Sequence, residues 1–291
     1  MKRNELAWQS KLVLLLTLPV AGTEVVLQTQ RWAMQEPAVV VWTLGLSALL
    51  GLATWKMRAA TPGAAAAGTL ITANLMYSTA GPPYSPFHTA LIPVLAVSLL
   101  AFGATRVGRS RKEQLGTAEE RKGRRAAQIA ANLGMAVLVS NDAMQAWLIN
   151  SRLSGRLTPA TMPLATAALA ALAEAAADTV SSEIGQVLGG TPRMLTTLRV
   201  AEPGTDGAIS LAGTLAGVMA AGVVAGIGMI TLRGSVTMLW VSCASGVFGL
   251  FFDSLLGASF ERAGWLNNDA VNFLSTGSAA GMALGLMALV R

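Results

Sequence analysis

Residues 209–232 read ISLAGTLAGVMAAGVVAGIGMITL, 24 positions without one charged side chain. An apolar run of 18 or more residues is long enough to cross the ~30 Å hydrocarbon core of a bilayer as a helix. Gly213 and Gly217, then Gly222 and Gly226, stand four apart, the small-residue spacing by which membrane helices pack closely. Working outward from this block, comparable apolar stretches occupy approximately 12–28, 38–55, 63–80, 89–105, 126–149, 159–177, 236–252 and 270–290. Nine spans of ~20 residues place about 180 residues in lipid and leave roughly 110 for loops. That excludes a large soluble domain. Composition agrees, since 53% of the 291 residues are hydrophobic and 12% charged, where a soluble chain carries ~25% charge. The expected fold is all-α, a polytopic membrane helical bundle of about nine transmembrane helices. Pro19 and Pro93 fall inside spans, where neighbouring helices can satisfy the freed carbonyls.

Lysine and arginine fix the orientation. Lys2, Arg3 and Lys11 precede the first span, Lys56 and Arg58 follow the second, and eight Lys/Arg between Arg106 and Arg125 follow the fourth. The positive-inside rule puts all three loops, and the N-terminus, in the cytoplasm. Arg152 and Arg156 on the opposite side dissent mildly. Lys2-Arg3 before an apolar run imitates a signal peptide, but Glu24-Val25-Val26 offers no small-residue cleavage site. The chain therefore divides into a four-span region, 1–125, ending in a basic cytoplasmic loop, and a five-span region, 126–291. A net charge of +6 could suggest nucleic acid, yet its concentration in loops is a topology signal, so no nucleic-acid partner is expected. A bacterial inner membrane is the default location.

The same inventory narrows the chemistry. Cys243 is the single cysteine and His88 the single histidine, which excludes cysteine-rich zinc sites and histidine relays. Of five lysines none follows Lys122, so there is no GxxxxGK[ST] phosphate loop.

Eight of fifteen acids lie in 174–206 and 253–269, both cytoplasmic by the span count. Intramembrane acids are expensive and default to functional hypotheses. If the sixth helix continues past its span, Glu174, Asp178 and Ser182 share one face at i, i+4 and i+8, and Glu183 can border the same cleft. Gly189-Gly190-Thr191-Pro192-Arg193 and Pro203-Gly204-Thr205-Asp206-Gly207 follow. Their glycines let backbone N–H groups approach an anion, which Arg193 and Arg199 can neutralise. Ser210 then opens a helix whose N-terminus favours negative charge. Taken singly, such turns are more often ordinary turns. The second stretch holds Asp253-Ser254 and then Asn267-Asn268-Asp269 with Asn272, where Asn268 and Asn272 form an i, i+4 pair. Carboxylates and carboxamides without His or Cys suit Mg²⁺ or Mn²⁺. Asn267-Asn268 alone would more often be a helix cap. Asp142 either lines the cavity or bonds a neighbouring helix, and His88 has no catalytic role. Trp8, Trp32, Trp42, Trp55 and Trp147 sit near span ends as interface residues. Arg121–Arg125 could touch lipid headgroups or a nucleotide, although topology alone accounts for them.

Asp178-Thr179…Ser182-Glu183-Ile184-Gly185, Pro203-Gly204-Thr205…Gly207…Ser210, Asp253-Ser254-Leu255-Leu256-Gly257-Ala258 and Asn267-Asn268…Val271-Asn272 together resemble the transmembrane protein 19 family, whose plant and cyanobacterial members are phytyl-phosphate kinases. The match is clear over about 128–280, while residues 1–105 match mainly in hydrophobicity, and no family pattern is assigned to Glu174 and Asp206. The resemblance implies phosphoryl transfer from a nucleoside triphosphate to an isoprenyl monophosphate, giving the diphosphate. CTP is favoured over ATP through kinship to phytol and dolichol kinases. The resemblance does not assign a role to each residue; from the chemistry of the side chains, Asp178, Glu183 and Asp253 are expected to hold Mg²⁺ or Mn²⁺. Asn268 and Asn272 are expected to position the acceptor or metal. Ser182, Arg193, Arg199, Gly204, Thr205, Gly207, Ser210 and Ser254 are expected around the donor phosphates. The expected partners are the lipid monophosphate, the nucleotide and membrane lipids. The rival reading is an ion-coupled transporter using the same acids. Against it, there is no convincing internal repeat, and the acids gather at one membrane side.

Overall fold

A computed structural model describes residues 6–118, 123–151, 161–188 and 190–290. Lys2, Arg3, Arg121, Lys122, Arg152, Arg156, Gly189 and the expected start of a span at Pro159 lie outside the described residues. The helices are α1 (Ala7–Gln35), α2 (Pro37–Lys56), α3 (Pro62–Thr79), α4 (Leu91–Arg106), α5 (Arg109–Leu115), α6 (Ala126–Ser140), α7 (Asp142–Asn150), α8 (Thr161–Leu188), α9 (Leu211–Thr231), α10 (Val236–Leu256) and α11 (Asn268–Leu289). A π-helical turn, Gly257–Glu261, extends α10. The only strands among the described residues are the short β1 (Arg193–Met194) and β2 (Ala208–Ile209), paired antiparallel.

Helices occupy every expected span position, but among the described residues six are long and apolar enough to cross a bilayer, or seven if the bent pair α4–α5 is one span. Three of the nine expected positions fall short of that length and apolarity, so a count of nine is not confirmed, and each shortfall has a physical reason. The expected fifth span breaks at Asn141, whose side chain accepts from the Met144 amide at 2.8 Å and starts α7 as a new helix. Helix α3 is interior: Ile71 through Tyr77 are all buried, so its Thr72 and Asn74 face protein rather than lipid. Helix α4 is short and bends by 65° into α5.

Helix α8 is the axis of the bundle, packed against α9, α10, α11, α6 and α4 and buried along most of its length. Its alanines allow this, with Ala167, Ala168, Ala170, Ala171, Ala173, Ala175, Ala176 and Ala177 all in the core. Gly213 and Gly217 extend the close contact, since a Cβ on either would lie 2.6 Å from the Ser181 carbonyl oxygen or 2.8 Å from that of Ala177. Gly222 and Gly226 do not share that role: nothing lies within 4 Å of a Cβ at Gly222, and only Leu239, at 4.0 Å, near one at Gly226.

Helix α8 also runs past its expected end at Ala177 to Leu188, carrying Asp178 and Glu183 beyond the apolar core. The start of α1 marks the same end of the bundle. There Gln9 donates to the Trp265 carbonyl at 2.8 Å and accepts from the Asn267 amide at 2.8 Å, and Ser10 donates to Asp269. At the opposite end Gln28 donates to Glu24 and to Asp142, 2.9 and 2.8 Å away. Asp142 therefore ties helices together and lines neither cavity described below. His88 sits beside Thr231 and Arg233. Trp8, Trp55 and Trp147 are exposed as interface residues should be, whereas Trp32 is buried against Tyr84.

Candidate active site

The C-terminal halves of α8 and α10 and the N-termini of α6, α9 and α11 meet around a polar cavity of about 290 Å³. Each motif supplies part of its wall. Asp178, Ser182 and Glu183 come from α8, and Gly204, Thr205 and Gly207 from the turn before β2. Ser210 comes from the start of α9, Asp253 and Ser254 from α10, and Asn268 and Asn272 from α11. Side chains 75–95 positions apart in sequence thus share one space.

Local chemistry explains each placement. Ser210 caps α9 by accepting from the Gly213 amide at 3.2 Å, and Asn267 caps α11 by accepting from Ala270 at 2.9 Å. Asn267 is therefore the ordinary cap, and its neighbour Asn268 is the residue that faces the cavity. Asn272, one turn on, bonds Asn132 of α6 at 3.4 Å. Gly207 has φ +73° and packs against the backbone of Ala258, while a Cβ on Gly257 would sit 2.8 Å from the Gly207 nitrogen. Only glycine fits at this crossing, which clamps the 203–207 turn onto the π-helical end of α10.

The carboxylates form a graded set. Asp253 Oδ2 is buried without a hydrogen-bond partner among the described residues, and Asp253, Asp178 and Glu174 stand near enough to repel one another. Glu174 lies one turn deeper than Asp178, fully buried, with Ser275 within reach of both it and Asp253. Asp178 also faces Arg124 and Glu183. Three helix N-termini at the cavity supply the opposite field, favouring anions.

Glu183 lines the same cavity as Asp178 and Asp253, with its Oε2 bonded to Lys112 Nζ, which also donates to the Ala104 and Thr105 carbonyls at 2.8 and 3.2 Å. Among the described residues no three His, Cys, Asp or Glu side chains form a ready-made metal cluster. Arg193 and Arg199 are exposed and line neither cavity, and the Arg193 guanidinium is spent on the Leu198 carbonyl at 2.8 Å.

The cation at the cavity is instead Arg124, beside Gln128 and Asn132 of α6. Its backbone is pinned between elements: the Arg124 amide donates to Ala59 and its carbonyl accepts from Thr61, both at 3.0 Å. Gly123 precedes it at φ +79°, where a Cβ would strike the Ala59 carbonyl. Its guanidinium lies 3.5 Å from the Thr179 hydroxyl. The one sequence signal for it was its place in the basic run, which topology already accounted for.

A second cavity, about 440 Å³, lies among α2, α3, α4 and α6 and shares Arg124 and Asn132 with the first.

Comparison with known proteins bears on the chain as a whole. The family described as integral membrane protein DUF92 matches residues 45–280. An uncharacterised membrane protein of Methanocaldococcus jannaschii is 44% identical over 108 residues, 37% of this chain and 45% of its own length. One from Synechocystis is 30% identical over 68% of this chain and 74% of its own. The chloroplastic protein VTE6 of Arabidopsis thaliana is 33% identical over 62% of this chain and 54% of its own. The chain thus spans about half the length of the archaeal and plant relatives it matches. No solved structure matches it significantly. With the family match covering most of its length and all four motifs, the chain belongs to the integral membrane protein DUF92 family.

Proposed function

We propose that the protein is a membrane-embedded phosphotransferase that moves the terminal phosphoryl group of a nucleoside triphosphate onto an isoprenyl monophosphate. The observation that supports this reading best is the convergence of all four motifs on one polar cavity, where Asp178 and Asp253 face a glycine-bearing turn and three helix N-termini. The resemblance of those motifs to the phytyl-phosphate kinases, together with the plant relative, supports the isoprenyl acceptor. Kinship to phytol and dolichol kinases favours CTP over ATP. The cavity would face the cytoplasm, in a bacterial cell across the inner membrane.

The transfer is a single displacement. An oxygen of the acceptor phosphate forms a bond to the γ-phosphorus, and the bond from that phosphorus to the β–γ bridging oxygen breaks. The nucleoside diphosphate leaves with the electron pair. A phosphate monoester has its second pKa near 6, so the attacking oxygen is already largely ionised at neutral pH and no histidine or lysine base is needed. Positioning and charge neutralisation supply most of the rate in such reactions. In this site the N-termini of α9 and α11 and the turn 203–207 would receive the donor phosphates. Arg124 would stabilise negative charge on the phosphoryl group in flight, and Asn132, Asn268 and Asn272 would orient the acceptor. Asp178 and Asp253 fit a divalent cation, since one or two carboxylates plus substrate phosphates are the usual Mg²⁺ ligands and Asp253 Oδ2 is otherwise without a partner among the described residues. Bound there, Mg²⁺ or Mn²⁺ would neutralise phosphate charge.

The test is transfer of label from terminally labelled CTP or ATP to phytyl, farnesyl or geranylgeranyl monophosphate by lipid-reconstituted protein. Label is expected in the lipid diphosphate, lost with chelator or in Asp253→Asn, and restored to the wild type alone by Mg²⁺. Absence of labelled lipid for every pair, in folded protein, would refute the kinase and favour an ion-coupled carrier.

A further inference from the structure

We infer that the second cavity is the seat of the lipid acceptor, so that the amino-terminal helices, left without a role by the motifs, form half of the active site. This rests on the phosphotransferase reading for its acceptor, but the cavity has its own chemistry. Four arginines, Arg58, Arg106, Arg109 and Arg124, line it, and no Asp or Glu does among the described residues. All four lie toward the end of the bundle that holds the polar cavity, because α2 ends, α4 ends and α6 begins there. Away from that end the lining becomes mainly apolar, with Leu50 of α2, Val94, Val97 and Ala101 of α4 and Leu133 of α6, and Thr72 and Ser98 are the polar exceptions.

Cationic rim and apolar depth together specify an amphiphile with an anionic head. From Arg106 down to Val94 is roughly 18 Å along the helix axis, and about 440 Å³ is within the range of single small-ligand pockets. The head is placed by the shared residues. Arg124 and Asn132 line both cavities, so a phosphate held under Arg124 borders the donor site, with its hydrocarbon chain directed away from it. Thr105 makes a second junction, lining the apolar cavity and bonding the Glu183 carboxylate of the polar one at 3.4 Å. Arg106 is further held over the Phe102 ring, 3.4 Å from its centroid, which fixes one wall of the rim. The ligand is a prenyl or other long-chain monophosphate monoester.

Gly68 of α3 gives the test. It lines the cavity, and nothing lies within 4 Å of a Cβ placed there, so the side chain of Gly68→Leu starts clear of protein and enters ligand space, and leucine favours the helix. Gly45→Leu, equally unobstructed but outside the cavity, is the control. Two readouts are taken on full-length protein in nanodiscs: steady-state transfer, and crosslinking by a diazirine-bearing farnesyl monophosphate, mapped by peptide. Gly68→Leu is expected to raise KM for the lipid monophosphate about tenfold or more while KM for the nucleotide stays put. Crosslinks are expected in α3 and α4 of the wild type, lost in Gly68→Leu and kept in Gly45→Leu. Unchanged crosslinking and KM in Gly68→Leu would overturn the cavity assignment while leaving the kinase intact. Crosslinks in the cavity without transfer from any nucleotide would uphold the lipid site and sink the kinase. Equal competition by farnesol would overturn the role of the arginine rim, and equal competition by phosphatidic acid would make the site a general phospholipid site and overturn the acceptor assignment.

Discussion

Lys112 is the buried group on which the junction between the two cavities depends. It is 1% exposed, whereas its partner Glu183 retains 15% side-chain exposure toward the polar cavity. Its ammonium has three donors, and all three are used: the Ala104 and Thr105 carbonyls at the end of α4, and the Glu183 carboxylate. Replacing Lys112 with methionine keeps the volume and removes all three bonds. Each carbonyl bond is worth about 1 kcal/mol and the bond between charged groups roughly 2 kcal/mol, so Lys112→Met should lose about 4 kcal/mol. Glu183→Gln leaves a lysine that cannot rehydrate beside an uncharged amide, and breaking a buried pair in this way costs about 3 kcal/mol or more. The double variant removes both charges together, and its cost should fall to that of the orphaned carbonyls, about 2 kcal/mol.

The assay is equilibrium unfolding in mixed detergent–SDS micelles, followed by helical circular dichroism, for the wild type, the two single variants and the double. Strong non-additivity is the expected result, with the double variant more stable than either single one. If the two losses simply add, the ions are not coupled and Lys112 is only a helix cap. Turnover gives an independent check, because a Glu183 released from Lys112 adds an uncompensated acid beside Asp178, which already faces Glu174 and Asp253. Lys112→Met should lower kcat even under conditions where it remains folded.

Three further outcomes follow from particular contacts. Gly207→Ala should abolish transfer in a protein that still folds, since a Cβ there meets the Ala258 backbone in a left-handed conformation costing about 1–2 kcal/mol; it is checked by turnover alongside circular dichroism. Arg124→Ala should cut kcat by roughly 100-fold, while Arg193→Ala and Arg199→Ala leave KM for the nucleotide unchanged, as steady-state kinetics would read. Asn141→Ala removes the cap of α7 and should cost about 1 kcal/mol in the same unfolding assay, with transfer unaffected because α7 lies at the far end of the bundle.

The bundle itself was legible because lipid imposes a simple demand, long uncharged runs, and the chain meets it at regular intervals. The errors fall where that demand is relaxed. An interior helix such as α3 can carry Asn74 and Thr72 because its neighbours are protein, so hydropathy overstates its contact with lipid. The break of α6 from α7 was readable in principle, as Ser140-Asn141-Asp142 is a run of capping types inside an apolar block. The polar cavity was legible for the opposite reason. Acids and carboxamides are rare in spans, so Asp178, Asp253, Asn268 and Asn272 stood out one by one. Glu183 stands out for the same reason, but its bond to Lys112 does not, because that lysine lies 71 positions away in the basic run, on the short helix α5.

The second cavity could not be read this way. An apolar residue lining a cavity and an apolar residue facing lipid have the same composition and the same period, so Val94, Val97 and Gly68 carry no mark in sequence. Arg124 is masked more thoroughly. A positive charge just before a span fully satisfies the orientation rule, and nothing is left over to signal a second use. What separates it from Arg125 next door is geometry: a glycine before it that only a tight backbone crossing requires, main-chain bonds on both sides to the α2–α3 connection, and a guanidinium at the rim of two cavities. A residue that orients the protein in the membrane is necessarily at the interface, and that is where a lipid phosphate and a soluble nucleotide must meet. The topological role of Arg124 and the chemical role proposed for it therefore coincide in place, and a positive-inside loop that reads as mere orientation is where a lipid kinase would be expected to keep its phosphate-binding arginine.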